Sequence, residues 1–326
     1  MEEALKAMAT VNVQDVTHDL RPFLVVYKDG RVQRFTGTQH VPASTDTVTG
    51  VESLDVAVLP EEEGGVSVRL YKPAGGDVGR LPVLIYIHGG GFCIESAASP
   101  MYHNYLNGLC SKANVLVVSV DYRLAPEHPV PAAYEDSWAA INWVGKGDGQ
   151  DVHPWIKDRA DLSRVFLAGD SAGANIAHHM VKRLGKEKIE NLGLKGVILV
   201  HPYFWGKDKI GSELQKIKAS GGNLADELWG FVCPGTSGLD DPFINPATDP
   251  ELADLAVEKV MVCVAELDTL RDRGFQYKEV LQKSGCKANV EVVETLGESH
   301  VFHLLTPGSP NAAPFMDQVV AFLNSS

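Results

Sequence analysis

The residue in this sequence that is best placed for covalent chemistry is Ser171, which lies between two glycines. The segment Gly169-Asp170-Ser171-Ala172-Gly173 follows a short apolar run and leads into a helical pattern, so Ser171 is predicted to lie on a strand-to-helix turn. Glycines two positions to either side allow a tight turn that exposes the serine hydroxyl at a helix N-terminus. The backbone N–H of Ala172 would point the same way and could donate to an oxyanion. The alternative is a turn serine with no chemical role.

Three consecutive glycines after another apolar run suggest further donors for that oxyanion. His88 ends the run and is followed by Gly89, Gly90 and Gly91. Glycine is entropically costly and packs against nothing, but it lets main-chain N–H groups approach a ligand closely. The N–H groups of Gly89 and Gly90 are therefore predicted to form an oxyanion hole together with that of Ala172. A flexible glycine loop is the alternative, and His88 is assigned a structural role.

A serine hydroxyl becomes a good nucleophile only when a histidine takes its proton and a carboxylate orients that histidine. Both candidates lie late in the chain, on loops that follow predicted strands. Asp268 follows the predicted strand at residues 260–265, and His300 follows the predicted strand at residues 289–293 and the turn at Gly297. The predicted triad is therefore Ser171, Asp268 and His300, in that chain order.

Neighbouring residues compete for the roles of acid and base. Glu266 and Asp272 are alternative acids, but Asp272 falls inside the next predicted helix, whereas Asp268 lies just past the strand. His303 is the alternative base, although His300 lies nearer the strand end. Taken alone, each chosen residue also fits a structural role, as a helix-capping aspartate or a surface histidine.

The apolar runs predict how these residues are positioned. Short, continuous runs rich in β-branched residues, with helix-length segments between them, are typical of buried parallel strands in an α/β sheet. Alternating apolar and polar residues at 51–59 and 65–71 predict two half-buried antiparallel strands. The predicted buried strands are residues 83–87, 115–120, 165–168, 197–200 and 260–265, and the predicted helices are 132–144, 174–184, 271–284 and 312–323.

Two regions fall outside this alternation of strands and helices. Residues 204–247 separate two buried strands by more than a crossover helix needs and carry aromatic residues among Gly and Pro, which suits a lid over a pocket at the strand ends. Residues 1–45 contain extended pieces around a predicted turn at Asp29-Gly30. An aromatic element packed on the core is the alternative for the insertion. The pocket candidates are Phe92, Phe204, Trp205, Trp229 and Phe302.

Composition limits the class of protein. The chain has 326 residues, 44% of them hydrophobic, and no apolar run near 18 residues, so one domain without membrane insertion is predicted. A net charge of −13 disfavours nucleic acid and anionic membranes as partners. The five scattered cysteines have no metal-ligand spacing and are predicted to be reduced thiols. The first six residues include the acidic Glu2 and Glu3 where a signal peptide is basic, and no apolar stretch follows, so a cytoplasmic location is predicted.

Taken together, the motifs resemble those of the plant carboxylesterase group of the hormone-sensitive-lipase-like α/β-hydrolases, over most of the chain. The resemblance implies an α/β-hydrolase fold: one domain, residues 1–326, with a mostly parallel central sheet flanked by helices. It also implies a cap built from residues 1–45 and 204–247, and a structural role for residues 121–127. The matching segments are His-Gly-Gly-Gly-Phe at 88–92, Asp-Tyr-Arg-Leu-Ala-Pro-Glu at 121–127, Gly-Asp-Ser-Ala-Gly at 169–173, Asp268-x-Leu-Arg-Asp, and His300-x-Phe302.

The sequence thus predicts a serine carboxylesterase that forms an acyl-enzyme on Ser171 and acts on short- to medium-chain or aryl esters. It needs no cofactor or metal, its partner is a small-molecule ester, and its oligomeric state is left open. A gibberellin-receptor-like function is disfavoured because that receptor lacks the triad histidine, which His300 supplies here. A dehydratase or cyclase-type lyase remains the alternative. Relatives of that type commonly have threonine as the nucleophile, whereas residues 201–206 resemble dehydratase sequences.

Overall fold

The structure of the chain is a computed structural model that describes residues 7–8, 11–75, 79–147, 149, 151–220 and 224–325. The first six residues, on which the predicted absence of a signal peptide rests, lie outside the described residues. So do residues 9–10 of the predicted N-terminal cap segment and residues 221–223 of the insertion.

Strands and helices alternate along most of the described chain. The strands are β1 (Val16–Leu20), β2 (Leu24–Tyr27), β3 (Val32–Arg34), β4 (Glu52–Ala57), β5 (Ser67–Lys72), β6 (Leu81–Ile87), β7 (Leu116–Asp121), β8 (Ala160–Asp170), β9 (Leu194–Val200), β10 (Lys259–Ala265) and β11 (Asn289–Thr295). The helices are α1 (Pro100–Ala113), α2 (Ala132–Gly145), α3 (Pro154–Arg159), α4 (Ala172–Lys186), α5 (Glu213–Ser220), α6 (Leu224–Val232), α7 (Arg271–Lys283), α8 (Phe302–Leu305) and α9 (Ala312–Asn324).

An eight-stranded sheet in the order β11-β10-β9-β8-β6-β7-β5-β4 forms the centre of the fold. Neighbours from β11 to β7 pair in parallel, and β5 and β4 continue the sheet antiparallel at one edge. Helices cover both faces, and the sheet separates two apolar clusters, with Ile85 in one and Leu84 in the other. This is the mostly parallel sheet flanked by helices that the sequence predicts. Because the strands run in parallel, their C-terminal ends lie along one edge, where the loops carry the predicted site residues.

Several elements differ from the prediction. Strand β8 begins at Ala160, whereas the sequence predicts its start at residue 165. The first half of the strand is more exposed and carries polar residues, so the apolar run begins only at residue 165. Helix α1 was not predicted, although it buries Tyr102, Leu106 and Leu109 against the sheet. Two short helices, α5 and α6, lie within the insertion between β9 and β10.

The N-terminal strands form a separate three-stranded sheet in the order β1-β2-β3. Leu20 and Leu24 are buried in the main core. Arg34 fastens this sheet to the rest of the molecule, since its guanidinium donates to the carbonyl oxygens of Cys93 and Ala125 at 2.7 and 2.9 Å and pairs with Glu127 at 2.6 Å. The N-terminal segment is thereby held against the loops that follow β6 and β7.

The helices and the cysteines bear on two further predictions, that the chain does not insert into a membrane and that its thiols are reduced. Within the described ranges, no helix combines the length and apolar character needed to cross a membrane. The five cysteines are free thiols, as predicted.

Candidate active site

Ser171 lies at the junction of β8 and α4, where the chain turns from strand into helix. Its backbone is strained, with φ 52° and ψ −117°, a conformation that residues with a Cβ rarely adopt. The two flanking glycines are required for close packing: a Cβ on Gly169 would overlap the backbone of Gly173, and one on Gly173 would overlap the carbonyl oxygen of Ile87. The predicted strand-to-helix turn is therefore present, and the packing of three backbone segments fixes it.

Ser171, His300 and Asp268 form a continuous hydrogen-bonded chain. His300 Nε2 lies 2.9 Å from Ser171 Oγ, and His300 Nδ1 lies 2.6 Å from Asp268 Oδ2. The other carboxylate oxygen, Asp268 Oδ1, accepts the N–H of Leu270 at 3.0 Å, which fixes the carboxylate. Because an ionised Asp268 can only accept, Nδ1 of His300 carries the proton, and Nε2 is left free to accept from Ser171.

The charges around the triad favour an ion pair between His300 and Asp268 when His300 is protonated. Burial opposes the charge on His300, but the negative charge and hydrogen bond of Asp268, together with the nearby Asp170, raise the pKa of His300 above its ordinary value. Burial likewise opposes the charge on Asp268, yet His300 holds the pKa of Asp268 below its ordinary value. The site is thus arranged to stabilise an imidazolium after proton transfer.

The two competing acids accept hydrogen bonds elsewhere, and the competing base is packed beneath the site. Glu266 accepts the N–H of Gly297 at 2.8 Å. Asp272 accepts both the N–H and the hydroxyl of Ser212, each at 2.6 Å. His303 is buried beneath the site, its ring edge-on to an aromatic neighbour. The structure thus brings together the residues that the sequence favours.

The glycine loop requires a correction to the predicted oxyanion donors. Gly89 N–H donates to the hydroxyl of Tyr102 at 2.8 Å, so it is not available to a substrate. Gly90 and Gly91 line the cavity beside Ser171 and have φ values of 91° and 59°. Across the described part of the chain, the N–H groups of Gly90, Gly91 and Ala172 have no hydrogen-bond partner. Gly91 therefore replaces Gly89 as a candidate donor.

A buried network that the sequence did not reveal connects the glycine loop to the nucleophile turn. Asp170, next to Ser171, accepts hydrogen bonds from Tyr86 and Tyr102, both at 2.9 Å. Burial raises the pKa of Asp170 to about 6, while the two tyrosine hydroxyls oppose this shift. Since Tyr102 also accepts from Gly89, this carboxylate holds the glycine loop in register with Ser171. No local sequence signal marks long-range partners of this kind.

The segment at residues 121–127 supports the same loop from another side. The Tyr122 hydroxyl lies 2.8 Å from the carbonyl oxygen of Gly89 and 3.0 Å from that of His88. The ring of His88 stacks on that of Tyr122 at 4.1 Å, and burial lowers the pKa of His88 to about 4. His88 is thus a neutral, packed side chain away from the reacting atoms.

A cavity of about 510 Å³ opens beside Ser171 and His300. Its wall is largely apolar, and three parts of the chain contribute to it besides the loops that carry the triad. The N-terminal segment contributes Phe23 and Thr36, the insertion contributes aliphatic residues such as Leu228, and the loop after β6 contributes Ile94 and Glu95. Residues from both segments that fall outside the alternation of strands and helices, 1–45 and 204–247, therefore border the cavity beside Ser171.

The five aromatic residues predicted to line the pocket do not line this cavity. Each is at most 1% exposed and belongs to the packed layer beneath it. Phe204 stacks on Tyr277 at 4.9 Å, for example, and the indole N–H of Trp229 donates to Thr236 at 2.7 Å. Large rings are better buried than left in solvent, so the insertion turns them inward and presents aliphatic side chains to the cavity. The residues for which the pocket prediction is wrong are Phe92, Phe204, Trp205, Trp229 and Phe302.

His201 is a second residue at this site that the sequence analysis did not select. It has a strained backbone with φ 45°, and its ring lies 5.7 Å from that of His300. Its Nδ1 accepts the N–H of Val301 at 2.8 Å, which fixes the residue that follows His300. Burial lowers the pKa of His201 to about 3, so the ring stays neutral. The strained backbone and the neutral ring together identify it as a support for the base.

The site contains one group of potential metal ligands among the described residues. Ligand atoms of His201, Asp268 and His300 all lie within 4.8 Å of one another. Each residue already makes a hydrogen bond, because Asp268 and His300 are bonded to each other and His201 accepts a backbone N–H. The donor set is therefore arranged for proton transfer.

Comparison with known proteins places the chain in a family. A family model described as the alpha/beta hydrolase fold matches residues 84–304, which include the glycine loop and all three triad residues. The chain is also 44% identical over 315 residues to "Probable carboxylesterase 2" of Arabidopsis thaliana, covering 95% of this chain and 97% of that protein. The chain belongs to the plant carboxylesterase group of the α/β-hydrolase family.

Other members of the family show its range. A 2-hydroxyisoflavanone dehydratase of Glycyrrhiza echinata is 40% identical over 326 residues, covering 97% of this chain and 98% of that protein. Among solved structures, a hyperthermophilic esterase from Pyrobaculum calidifontis superposes with a TM-score of 0.71 at 27% identity, covering 83% of this chain and 85% of that one. The family thus includes proteins named as esterases and one named as a dehydratase.

The comparisons overturn the prediction of a cytoplasmic location. Tuliposide A-converting enzyme 1 of Tulipa gesneriana, 43% identical over 98% of this chain, is named chloroplastic. Probable carboxylesterase 4 of Arabidopsis thaliana, also 43% identical, is named mitochondrial, and a third relative at 42% is named amyloplastic. An acidic N-terminus was thus the wrong basis for assigning a compartment, because relatives that match 98% of this chain are named as organellar.

Proposed function

We propose that the protein is a serine carboxylesterase. The observation that carries this proposal is the hydrogen-bonded chain from Ser171 through His300 to Asp268, which ends at the wall of a largely apolar cavity. That arrangement combines a nucleophile, a base and an orienting carboxylate with room for a small organic ester. Relatives named as carboxylesterases support the same function.

The arrangement of these residues supports the following steps of ester hydrolysis. His300 Nε2 takes the proton of the Ser171 hydroxyl as Oγ attacks the ester carbonyl carbon. The resulting oxyanion accepts hydrogen bonds from the N–H groups of Gly90, Gly91 and Ala172. His300 then gives its proton to the departing alkoxide, which leaves as the alcohol, and an acyl group remains on Ser171. Water, deprotonated by His300, attacks that acyl group, the bond to Ser171 Oγ breaks, and His300 returns the proton to Oγ as the carboxylic acid departs.

The shape of the cavity limits the ester. A volume of about 510 Å³ accommodates a short or medium acyl chain or an aryl group, whereas a long-chain triglyceride exceeds it. We infer that the described parts of residues 1–45 and 204–247 form the cap of a single domain, since both contribute to the cavity wall. No cofactor or metal takes part in the proposed steps, and the partner is a small-molecule ester.

A series of 4-nitrophenyl esters with acyl chains from acetate to palmitate tests this function. We expect kcat/KM to be greatest for acyl chains of up to about eight carbons and to fall steeply for palmitate, because the cavity is closed by its cap. Ser171→Ala should abolish turnover of every ester in the series. Equal rates for wild type and Ser171→Ala would exclude the proposed nucleophile.

Elimination of water from a β-hydroxy ketone is the second candidate, favoured by the dehydratase relative at 40% identity. That reaction needs a base and donors to an enolate, which His300 and the loop amides could supply without a serine nucleophile. Ser171→Ala would then retain much of the activity. Assaying 2-hydroxyisoflavanone with wild type and with Ser171→Ala separates the two functions.

A further inference from the structure

Helix α5 of the insertion contacts the loop that carries Asp268 as well as the cavity. The ammonium group of Lys216 donates to the backbone carbonyl oxygens of Glu266 and Asp268, both at 2.7 Å. The next residue, Ile217, lines the cavity beside Ser171. One turn of the insertion therefore contacts both the space for the substrate and the loop of the candidate acid, and the proposed hydrolysis leaves Lys216 without a role.

A buried ion pair fixes α5 on α7, the helix that follows the acid. Arg273 of α7 donates to both carboxylate oxygens of Glu213, at 2.6 and 3.0 Å, and to the carbonyl oxygen of Asp208 at 2.6 Å. The side chains of Arg273 and Glu213 are only 3% and 0% exposed, and two parallel hydrogen bonds of this kind fix the geometry of a pair. Residues three apart share a face of a helix. The pair that anchors Glu213 therefore also directs Lys216 towards the loop before α7.

The loop at residues 266–270 links this anchored helix to the base. The N–H of Leu267 donates to the carbonyl oxygen of Glu298 at 2.9 Å, two residues before His300. The carboxylate of Asp268, which is 4% exposed, lies 2.6 Å from His300 Nδ1. Lys216 bonds the carbonyl oxygens on either side of Leu267. The position of the Asp268 carboxylate therefore depends on backbone contacts to the loop of His300 and on the contact to the insertion.

We propose that Lys216 is a positioning residue for Asp268, so that the insertion contributes to kcat as well as to the cavity wall. By bonding two carbonyl oxygens of the loop, Lys216 fixes the carboxylate that orients His300. An ammonium group suits this role, because its three N–H donors can bond both carbonyl oxygens at once. A misplacement of about 1 Å at a catalytic site can lower the rate about a hundredfold. The inference rests on the proposed function, because it assigns a further residue to the same reaction.

Substitutions at two adjacent residues of α5 should have opposite kinetic effects. Lys216→Met removes the donors but keeps most of the aliphatic side chain, so it should lower kcat for 4-nitrophenyl hexanoate about ten- to a hundredfold with little change in KM. Ile217→Ala removes contact surface from the cavity wall, so it should raise KM about three- to tenfold with little change in kcat. Lys216→Arg keeps the charge and several donors and should restore most of kcat. Lys218→Met, at an exposed position, is the control for losing a charge from this helix.

The hydrogen bond between His300 Nδ1 and Asp268 gives a readout that a general loss of stability would not move. Because this bond is short and charge-assisted, its proton should give a low-field NMR resonance in wild type when His300 is protonated, assigned by its loss in His300→Ala. In Lys216→Met the resonance should move upfield or be lost to exchange with water. It should be retained in Lys216→Arg and Lys218→Met. Lys216→Gln, which is polar but shorter, replaces the methionine variant if that variant folds poorly.

Three results would overturn the positioning role of Lys216. They are a kcat for Lys216→Met equal to that of Lys218→Met, a loss confined to KM, and a low-field resonance that is the same in Lys216→Met and wild type. Failure of the proposed function gives a different result, because the wild type itself would then not cleave the ester. The comparison of the resonance in wild type and Lys216→Met still tests the positioning role in that case, since it requires no turnover.

Discussion

His300 and His303 lie three residues apart, yet they have different surroundings. His300 Nε2 lies 2.9 Å from Ser171 Oγ, whereas His303 is buried under the site with both ring nitrogens unpartnered among the described residues. We expect His300→Ala to lower kcat/KM for 4-nitrophenyl butyrate by about a thousandfold or more, since no other base among the described residues is hydrogen-bonded to Ser171 Oγ. His303→Ala should lose little of this activity per folded molecule. A larger loss in His303→Ala than in His300→Ala, measured on samples of equal folded fraction, would mean that the base is misassigned.

The protonation of His300 predicts the pH dependence. Catalysis needs the neutral ring, and Asp268 and Asp170 raise the pKa of His300 above its ordinary value of 6.5 despite burial. Activity should therefore be lost as the pH falls through a midpoint above 6.5, and kcat/KM should rise with pH through that point.

NMR titration of the His300 ring provides the direct check on this prediction. Asp268→Asn removes the charge that raises the pKa, so the midpoint should move to lower pH. Asp272→Asn is the control, because Asp272 bonds to Ser212 rather than to the triad. If the midpoint is the same in Asp268→Asn and in wild type, our account of the electrostatics is wrong.

At the scale of elements, the turn that carries Ser171 depends on close contact between β6, β8 and α4. A Cβ on Gly173 would overlap the carbonyl oxygens of Ile87 and His88, which are backbone atoms that cannot rotate away. We expect Gly173→Ala to lower the free energy of unfolding by about 3 kcal/mol or more, or to prevent folding.

Gly230 is the matched control, because it is an exposed helical glycine in α6 at which an added Cβ would meet no atom within 4 Å. Gly230→Ala should stabilise the protein by up to about 1 kcal/mol, because alanine favours the helix. Urea unfolding of both variants measures the difference. Equal stability of the two would contradict the close packing described at Gly173.

The prediction from sequence was best where the signal is local. Apolar runs located the parallel strands and Gly-x-Ser-x-Gly located the nucleophile, since short segments fix both. The prediction was worst where a partner comes from far along the chain. Gly89 was assigned to the oxyanion hole because nothing near it shows that Tyr102 occupies its N–H. Likewise, the aromatic character of Trp205 and Trp229 did not show whether their rings face the cavity or the core.

At the scale of the whole molecule, the N-terminal segment takes part in the binding cavity although it lies outside the central sheet. Phe23 lines the cavity and is half-buried. We expect Phe23→Ala to raise KM for 4-nitrophenyl hexanoate about three- to tenfold with little change in kcat, because it removes contact surface without touching the triad.

Phe231 provides the control for that substitution. It is also half-buried, but it packs on His18 with ring centroids 5.2 Å apart and does not line the cavity. Phe231→Ala should therefore leave KM close to that of wild type. Equal KM values for Phe23→Ala and wild type would remove the N-terminal segment from the binding site.

The proposed hydrolysis requires a covalent acyl-enzyme on Ser171, and intact-mass spectrometry after reaction with diethyl 4-nitrophenyl phosphate detects whether Ser171 is a reactive nucleophile. The phosphoryl group mimics the acyl group but leaves the serine slowly, so the adduct accumulates. We predict one diethylphosphoryl group per wild-type chain, located on the peptide that contains Ser171, with parallel loss of esterase activity, and no adduct on Ser171→Ala. An unmodified Ser171, or an equal adduct on Ser171→Ala, would contradict the account.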